Sequence, residues 1–208
     1  MERRHFIKKG IACVSCVSMA GAVASCNVKT SEKETEEFIP EFEDARSKKV
    51  MIVAHCILNQ NARINTCAYT PSAIEPVVLE LLKRKIGIIQ MPCPETQILG
   101  LARRGNIYEQ LSKPGARKEL REYSDQIIEI IQQNRKWNFK VCGVLGIDGS
   151  PCCGVDLYYN EGEKPGTGAF MEELKPLLAK CNPAVKIRGI QDAKVEEAVE
   201  LVKNWDES

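Results

Sequence analysis

The stretch VMIVAHC at residues 50–56 decides the fold, because an uninterrupted apolar run stops abruptly at His55 and Cys56. A continuous apolar run of this length is typical of a strand that is covered on both faces of a sheet. Amphipathic patterns at helical spacing separate this run from three similar ones. The later apolar runs occupy residues 86–91, 141–147 and 184–190, and the helical patterns occupy residues 77–82, 120–137, 174–178 and 195–205.

This alternation predicts an α/β fold: a single Rossmann-like domain with a mainly parallel sheet of about four to five strands, flanked by helices. In open sheets of this kind, ligands bind beyond the carboxyl ends of the strands. Cys56 follows the first predicted strand, Cys93 follows the second, and the pair Cys152 and Cys153 follows the third. We therefore expect thiols from three strand ends to meet at one edge of the sheet.

Composition narrows the classes of function. The 208 residues carry a net charge of only +1, which disfavours nucleic acid as a partner. The chain has ten cysteines, more than packing requires, which indicates that its function depends on cysteine chemistry. No C-x₂-C pair exists in residues 27–208, which disfavours a structural zinc site. Three thiolates from distant loops instead suit a [4Fe–4S] cluster with one iron free of protein ligands.

Three short blocks carry a resemblance to a known family. HCILN at residues 55–59, CPE at residues 93–95 and GSPCCG at residues 149–154 resemble, in order and spacing, blocks of the 2-thiouracil desulfidase family, formerly a domain of unknown function. The resemblance covers about residues 48–157. It implies an iron–sulfur enzyme that removes sulfur from a thiolated small molecule.

The resemblance also assigns roles to individual residues. It implies that Cys56, Cys93 and Cys153 hold the [4Fe–4S] cluster, with Glu95 and Ser150 as catalytic groups beside its open iron. Cys152 stands at a variable position of its block and is the alternative third ligand. From the residues alone, Glu95 equally fits a first-turn acid of a following helix.

Two departures from the family pattern stand out. Ala62 replaces a second cysteine of the first block, whereas the arginine after it is kept as Arg63. Residues 100–104, which include Arg103 and Arg104, match a glycine-rich stretch ending in arginine only loosely. We therefore expect the wall of the substrate-binding site to differ from that of the family. Arg103 and Arg104 fit either a solvated helix end or a counter-charge to a cluster.

The expected reaction is the hydrolytic removal of sulfur from a thiolated small molecule. Thio-nucleobases are one class of substrate that fits this expectation. The open iron would bind the substrate sulfur, Glu95 would deprotonate water and Ser150 would position it. Two other classes fit the same cysteines: a non-catalytic module that senses or binds sulfide or a thio-ligand, and a metal-free thiol oxidoreductase.

The N-terminus predicts export. A basic start, an apolar run at residues 11–24 and Cys26 after small residues resemble a lipoprotein signal peptide over residues 1–25. Arg3 and Arg4, followed by Phe6 and Lys8, resemble a twin-arginine signal, and an ordinary export signal is the alternative. Lipidated Cys26 and an acidic tether up to residue 47 would then hold a domain of residues 48–208 on the outer side of the cell membrane.

The remaining cysteines have simpler interpretations. Cys67, Cys142 and Cys181 are expected to act as small hydrophobic residues. Disulfides among these three and Cys152 are an alternative for an exported protein. The loop at residues 162–168 contains three glycines and a proline, which suggests a lid.

Overall fold

A computed structural model describes residues 42–105 and 107–206 of the chain. The predicted signal, Cys26 and the tether up to residue 41 lie outside the described residues. The strands are β1 (Lys49–Val53), β2 (Gly87–Gln90), β3 (Lys140–Ile147), β4 (Leu157–Tyr159), β5 (Glu163–Pro165) and β6 (Lys186–Ile190). The helices are α1 (His55–Leu58), α2 (Glu75–Lys83), α3 (Pro94–Leu99), α4 (Tyr108–Leu111), α5 (Pro114–Lys136), α6 (Ala169–Cys181) and α7 (Val195–Lys203).

Four strands form a parallel sheet in the order β2-β1-β3-β6, which confirms the α/β, Rossmann-like prediction. All four predicted apolar runs are strands of this sheet. The inner strands β1 and β3 are buried along most of their length. This burial on both faces explains why their sequences are apolar without alternation.

The order of the strands determines where the helices pack. The chain moves from β1 outward to β2 and then crosses back to β3, so the direction of winding reverses between β1 and β3. Right-handed crossovers then place α2 on one face of the sheet and α5 and α6 on the other. The packing agrees, since α5 lies against α6 and α2 lies against α7. The crevice between the ends of β1 and β3 is the topological switch point.

Prolines set the starts of three helices. Pro76 lies in the first turn of α2, and α3 and α5 begin at Pro94 and Pro114. Proline suits these positions because its fixed φ is compatible with a helix. Its missing N–H costs nothing there, because the N–H groups of the first turn have no acceptor within the helix. Pro94 thus starts α3 directly after Cys93 and places that thiol at the end of the sheet.

Beyond the sheet, β4 and β5 pair as an antiparallel ribbon that the sequence did not reveal. The ribbon includes part of the loop predicted as a lid. At the N-terminal side, the Phe42 ring lies 6.4 Å from that of Trp137 and 5.6 Å from that of Phe139, centroid to centroid. The described part of the predicted tether, residues 42–47, therefore contacts the domain through Phe42. No helix among the described residues is both long and apolar enough to cross a bilayer.

Candidate functional site

The three predicted cysteine ligands line one small cavity at the carboxyl edge of the sheet. Cys56 lies in α1 immediately after β1, Cys93 is the N-cap residue of α3 after β2, and Cys153 lies in the turn after β3. The cavity spans the switch point, where the topology predicted that the thiols would converge. Five further residues line it: His55, Arg63, Glu95, Arg103 and Ser150.

The thiols of this cavity are free rather than disulfide-bonded. Desolvation raises the pKa of Cys56, and its neighbours Cys153 and Glu95 raise it further, against the opposing effect of Arg63. The Thr96 hydroxyl donates a hydrogen bond to Cys93 Sγ at 3.2 Å. Cys56 without a bound metal is therefore protonated at neutral pH, and a metal would have to displace that proton.

Cys152 and Cys153 differ in their relation to the cavity. Cys153 lines it, whereas Cys152 is fully buried away from it. The two thiols are hydrogen-bonded to each other, which together with desolvation raises the pKa of Cys153 well above its ordinary value. Both residues belong to the turn at residues 151–153. Because Cys153 lines the cavity and Cys152 does not, Cys153 is favoured over Cys152 as the third ligand.

Glu95 and Arg103 form a buried ion pair in the cavity wall. Arg103 Nε lies 2.9 Å and Nη2 lies 2.8 Å from Glu95 Oε2, with 4% of the Arg103 side chain and 13% of the Glu95 side chain exposed. Arg103 also donates to the Ala62 carbonyl at 2.9 Å and to Thr96 Oγ1 at 3.3 Å. Arg103 is therefore an internal counter-charge and not part of a solvated helix end. Glu95 does lie in the first turn of α3, but its carboxylate is directed to these partners.

Ser150 connects Glu95 to the cysteine turn. Its hydroxyl donates to Glu95 Oε1 at 3.2 Å. The same oxygen accepts the backbone N–H groups of Cys152 at 3.1 Å and Cys153 at 3.0 Å. One continuous network of hydrogen bonds therefore links the backbone at Cys153 to the carboxylate of Glu95 and on to Arg103.

Two glycines allow the cysteine turn to pack tightly. A Cβ at Gly154 would collide with the Leu157 carbonyl oxygen, and a Cβ at Gly168 would lie 2.5 Å from the Cys152 carbonyl oxygen. Backbone thus approaches backbone at both positions, where only glycine leaves room. These contacts fix the turn against β4 and the start of α6.

A second ion pair lies beside Cys56. Arg63 Nη2 lies 2.6 Å from Asp192 Oδ2, and 17% and 9% of the two side chains are exposed. Asp192 follows β6, so the fourth strand also contributes a polar residue near the site. Asp192 was not predicted from the sequence, although it also follows the carboxyl end of a strand, as the cysteines do.

A larger cavity of about 320 Å³ adjoins the three-thiol cavity. This volume falls at the lower end of the range for small-molecule sites. Four residues line both spaces, and all four are polar: Arg63, Glu95, Arg103 and Ser150. The wall between the two cavities is thus formed by the predicted catalytic groups and two guanidinium groups.

The residues of the small cavity suit the cluster that the sequence implied. Three free thiols supply the soft ligands that an iron–sulfur cluster takes. The side chains of the small cavity enclose a volume of about 20 Å³, which is enough for one water molecule. The thiols must therefore rotate outward before the cavity can hold a larger group. Accordingly, no group of three His, Cys, Asp or Glu side chains among the described residues is already assembled around a metal-sized space.

The other cysteines have separate surroundings. Cys142 is buried in β3, and its carbonyl accepts the Trp205 indole N–H at 2.7 Å. Cys181 ends α6 and is exposed, so its interpretation as a buried hydrophobic residue is wrong. Cys67 lines the larger cavity, which the sequence did not reveal. All described cysteines are free, and the alternative of disulfides among them is not realised.

Comparison with known proteins identified one informative relative. The chain is 35% identical over 141 residues to the uncharacterized protein MJ0003 of Methanocaldococcus jannaschii, a match that covers 68% of this chain and 85% of the relative. No protein-family model matches the chain, and no solved structure matches it.

Proposed function

This chain belongs to the same family as the protein MJ0003, and we propose that it is a desulfidase that hydrolytically removes sulfur from a thiolated small molecule with the aid of a [4Fe–4S] cluster. One observation carries the proposal. Thiols from three strand ends line a cavity that shares Arg63, Glu95, Arg103 and Ser150 with an adjoining space of substrate size. The candidate catalytic groups thus lie at the boundary between the two spaces, beside the cysteines that line the small cavity.

Cys56, Cys93 and Cys153 are the residues that would hold the cluster. When bound through three cysteines, a [4Fe–4S] cluster offers one iron as a Lewis acid that can polarise a thiocarbonyl through its sulfur. Arg63 and Arg103 line the same cavity, and each is already paired with an acid, Asp192 and Glu95 respectively. The Thr96 hydroxyl donates a hydrogen bond to Cys93 Sγ and so helps to orient that ligand.

Glu95 is the general base in this proposal. Its carboxylate lines both cavities, so it can reach a water molecule beside a substrate in the larger one. The water loses one proton to Glu95 and its oxygen bonds to the thiocarbonyl carbon. The carbon–sulfur bond then breaks, and the sulfur takes up the protons that water supplied. Thiocarbonyl and water thus become carbonyl and hydrogen sulfide, with no change in oxidation state.

Ser150 and Arg103 hold that base in position. The Ser150 hydroxyl donates to one carboxylate oxygen of Glu95, and Arg103 donates to the other. Because both donors are themselves fixed by backbone contacts, the carboxylate has little freedom to turn away from the cavity. This preorganisation lowers the cost of placing the base at the reacting water.

The thiol chemistry disfavours a metal-free oxidoreductase. Such enzymes attack through a thiolate, and their reactive cysteines have lowered pKa values. Here the pKa values of both Cys56 and Cys153 are raised, chiefly by desolvation for Cys56 and by the hydrogen bond with Cys152 for Cys153. These thiols are poor nucleophiles unless a metal takes the proton's place.

We further propose that the enzyme is an exported lipoprotein, anchored through a lipid on Cys26 and facing outside the cytoplasm. The support is the signal-like sequence of residues 1–25 and the small residues before Cys26. Mass spectrometry of the protein from membranes of an expressing bacterium tests this. A mature chain that starts at an acylated Cys26 supports the proposal, and a retained Met1 contradicts it.

The test of the function begins with anaerobic purification of the full chain. We expect a brown protein with about four iron and four acid-labile sulfide ions per chain, as a [4Fe–4S] cluster requires. It should release sulfide from 2-thiouracil or a related thiolated base. Glu95→Gln should keep the iron and lose sulfide release by at least about a hundredfold, the usual contribution of a general base.

Glu129→Gln is the matched control, because Glu129 is an exposed acid on α5, outside both cavities. It should keep the iron and the activity. A cluster-loaded protein that binds thiolated bases but releases no sulfide from any of them would instead identify a sensor or binding module. Stoichiometric zinc with no iron would overturn the proposal.

A further inference from the structure

We propose that the larger cavity selects substrates that carry a carboxylate, and that Arg104 binds this group. This inference deepens the proposed function and rests on it. Two consecutive arginines, Arg103 and Arg104, line this cavity but have different surroundings.

The first arginine is fully engaged within the protein. The Arg103 side chain is 4% exposed and donates to the Glu95 carboxylate and to the Ala62 and Gly100 carbonyls. Its charge is balanced by Glu95, and its N–H groups are directed inward. Arg103 therefore has no capacity left for a ligand.

The charge of Arg63 is also balanced. It forms the ion pair with Asp192 and donates through Nε to the Cys67 carbonyl at 3.0 Å. Among the described residues that line the larger cavity, Glu95 is the one acid, and Arg103 already neutralises it. The paired charges of the cavity wall thus cancel and leave Arg104 as the excess.

Arg104 is exposed in the cavity wall and makes no hydrogen bond or ion pair to any described residue. It lies in the part of the cavity that is not shared with the cavity of the three predicted ligands, Cys56, Cys93 and Cys153, and we call this part the outer part. A guanidinium presents two parallel N–H groups that match the two oxygens of a carboxylate. An anion at this place would neutralise the excess positive charge.

The rest of the outer wall indicates the shape of the ligand. Ile64, Ile107, Pro151 and Tyr159 give it an apolar surface with one aromatic ring. Such a wall suits a flat heterocycle. The volume of about 320 Å³ matches a single ring with a small substituent better than a nucleotide. We therefore assign a thiolated heterocyclic carboxylate, with its sulfur toward the thiols and its carboxylate toward Arg104.

Binding of unreactive oxygen analogues tests this site without requiring sulfur chemistry. Titration calorimetry on the anaerobic full chain would compare uracil with uracil-6-carboxylate. We expect the carboxylate to bind about tenfold tighter or more, as a charged hydrogen-bonded pair provides. Arg104→Gln should bring the ratio of the two affinities close to one, and Arg104→Lys should retain part of it.

Lys118→Gln is the control for general electrostatics, because Lys118 is 81% exposed on α5 and does not line the cavity. It should leave the affinity ratio unchanged. Equal binding of the two analogues overturns the inference, as does an affinity ratio that survives in Arg104→Gln. Tighter binding of uridine 5′-monophosphate than of the carboxylate also overturns it, since the anion would then be a phosphate.

Sulfide release from 2-thiouracil and its 6-carboxylate separates the two proposals. If the carboxylate analogue binds through Arg104 but neither thio-compound yields sulfide, the proposed function fails and the anion site stands. If both thio-compounds yield sulfide with equal kcat/KM in the wild type, the anion site fails and the function stands.

Discussion

Arg103 holds the carboxylate of Glu95 through two nitrogens, Nε at 2.9 Å and Nη2 at 2.8 Å, in a wall that both cavities share. The pair is almost inaccessible to solvent, so each charge depends on the other for compensation. The same arginine contacts Thr96, whose hydroxyl donates to Cys93 Sγ. One buried guanidinium therefore connects the candidate base with a candidate cluster ligand.

Arg103→Gln should destabilise the fold by about 3 kcal/mol, because it leaves the Glu95 carboxylate buried without its counter-charge. Urea denaturation of the metal-free protein measures this. In the double variant with Glu95→Gln, much of the lost stability should return, since no unpaired charge remains. Strictly additive losses in the two single variants and the double variant would show that the residues are not coupled.

Exchanging the cysteines one at a time should separate ligands from neighbours. Cys56→Ser, Cys93→Ser and Cys153→Ser should each lose most of the iron, because each removes a thiol that lines the small cavity. Cys152→Ser is the matched control and should keep it. Iron and acid-labile sulfide per folded chain are the measurements. Loss of iron in Cys152→Ser with retention in Cys153→Ser would reverse the assignment within this pair.

Ser150→Ala should cost about 2 kcal/mol in the free energy of unfolding. It removes the acceptor of the Cys152 and Cys153 backbone N–H groups, which are then buried without partners. Ser124→Ala, on α5, provides the comparison. Ser124 is also buried but only donates to the Leu120 carbonyl, so its loss should cost about 0.5 kcal/mol or less. Similar costs for the two variants would argue against the anchoring role of Ser150.

The described cysteines should react with maleimide at very different rates in the native protein without metal. Cys181 is exposed and should be labelled first at pH 7. Desolvation raises the pKa of Cys142 above its ordinary value of 9.0. Since the thiolate is the reactive form, Cys142 has a smaller thiolate fraction than an ordinary thiol at any pH below its pKa. Its labelling should therefore be slow at pH 7 and rise as the pH passes 9, as peptide mass spectrometry can follow.

The sheet could be predicted from the sequence chiefly because its inner strands, β1 and β3, are buried along most of their length. Such strands leave uninterrupted apolar runs, and Cys56, Cys93 and Cys153 could be placed by their position directly after those runs. The ribbon of β4 and β5 escaped prediction because each strand has only three residues, too few for an alternating pattern.

The ion pairs of the site were harder to predict. Arg103 and Glu95 are eight residues apart, and their contact depends on how the chain turns back after α3. Arg63 and Asp192 come from opposite ends of the domain sequence, so only the three-dimensional fold brings them together. Long-range pairing of this kind leaves no periodic signal in a single sequence.

The tight backbone contacts at Gly154 and Gly168 have a consequence for how this sequence can vary. Neither residue has a functional side chain, yet any replacement would push the Cys152–Cys153 turn away from β4 or α6. In a saturation screen scored by iron retention, both positions should tolerate as little change as the ligands themselves. Sequence variation at this site is thus restricted by contacts between main-chain atoms as well as by the chemistry of the side chains.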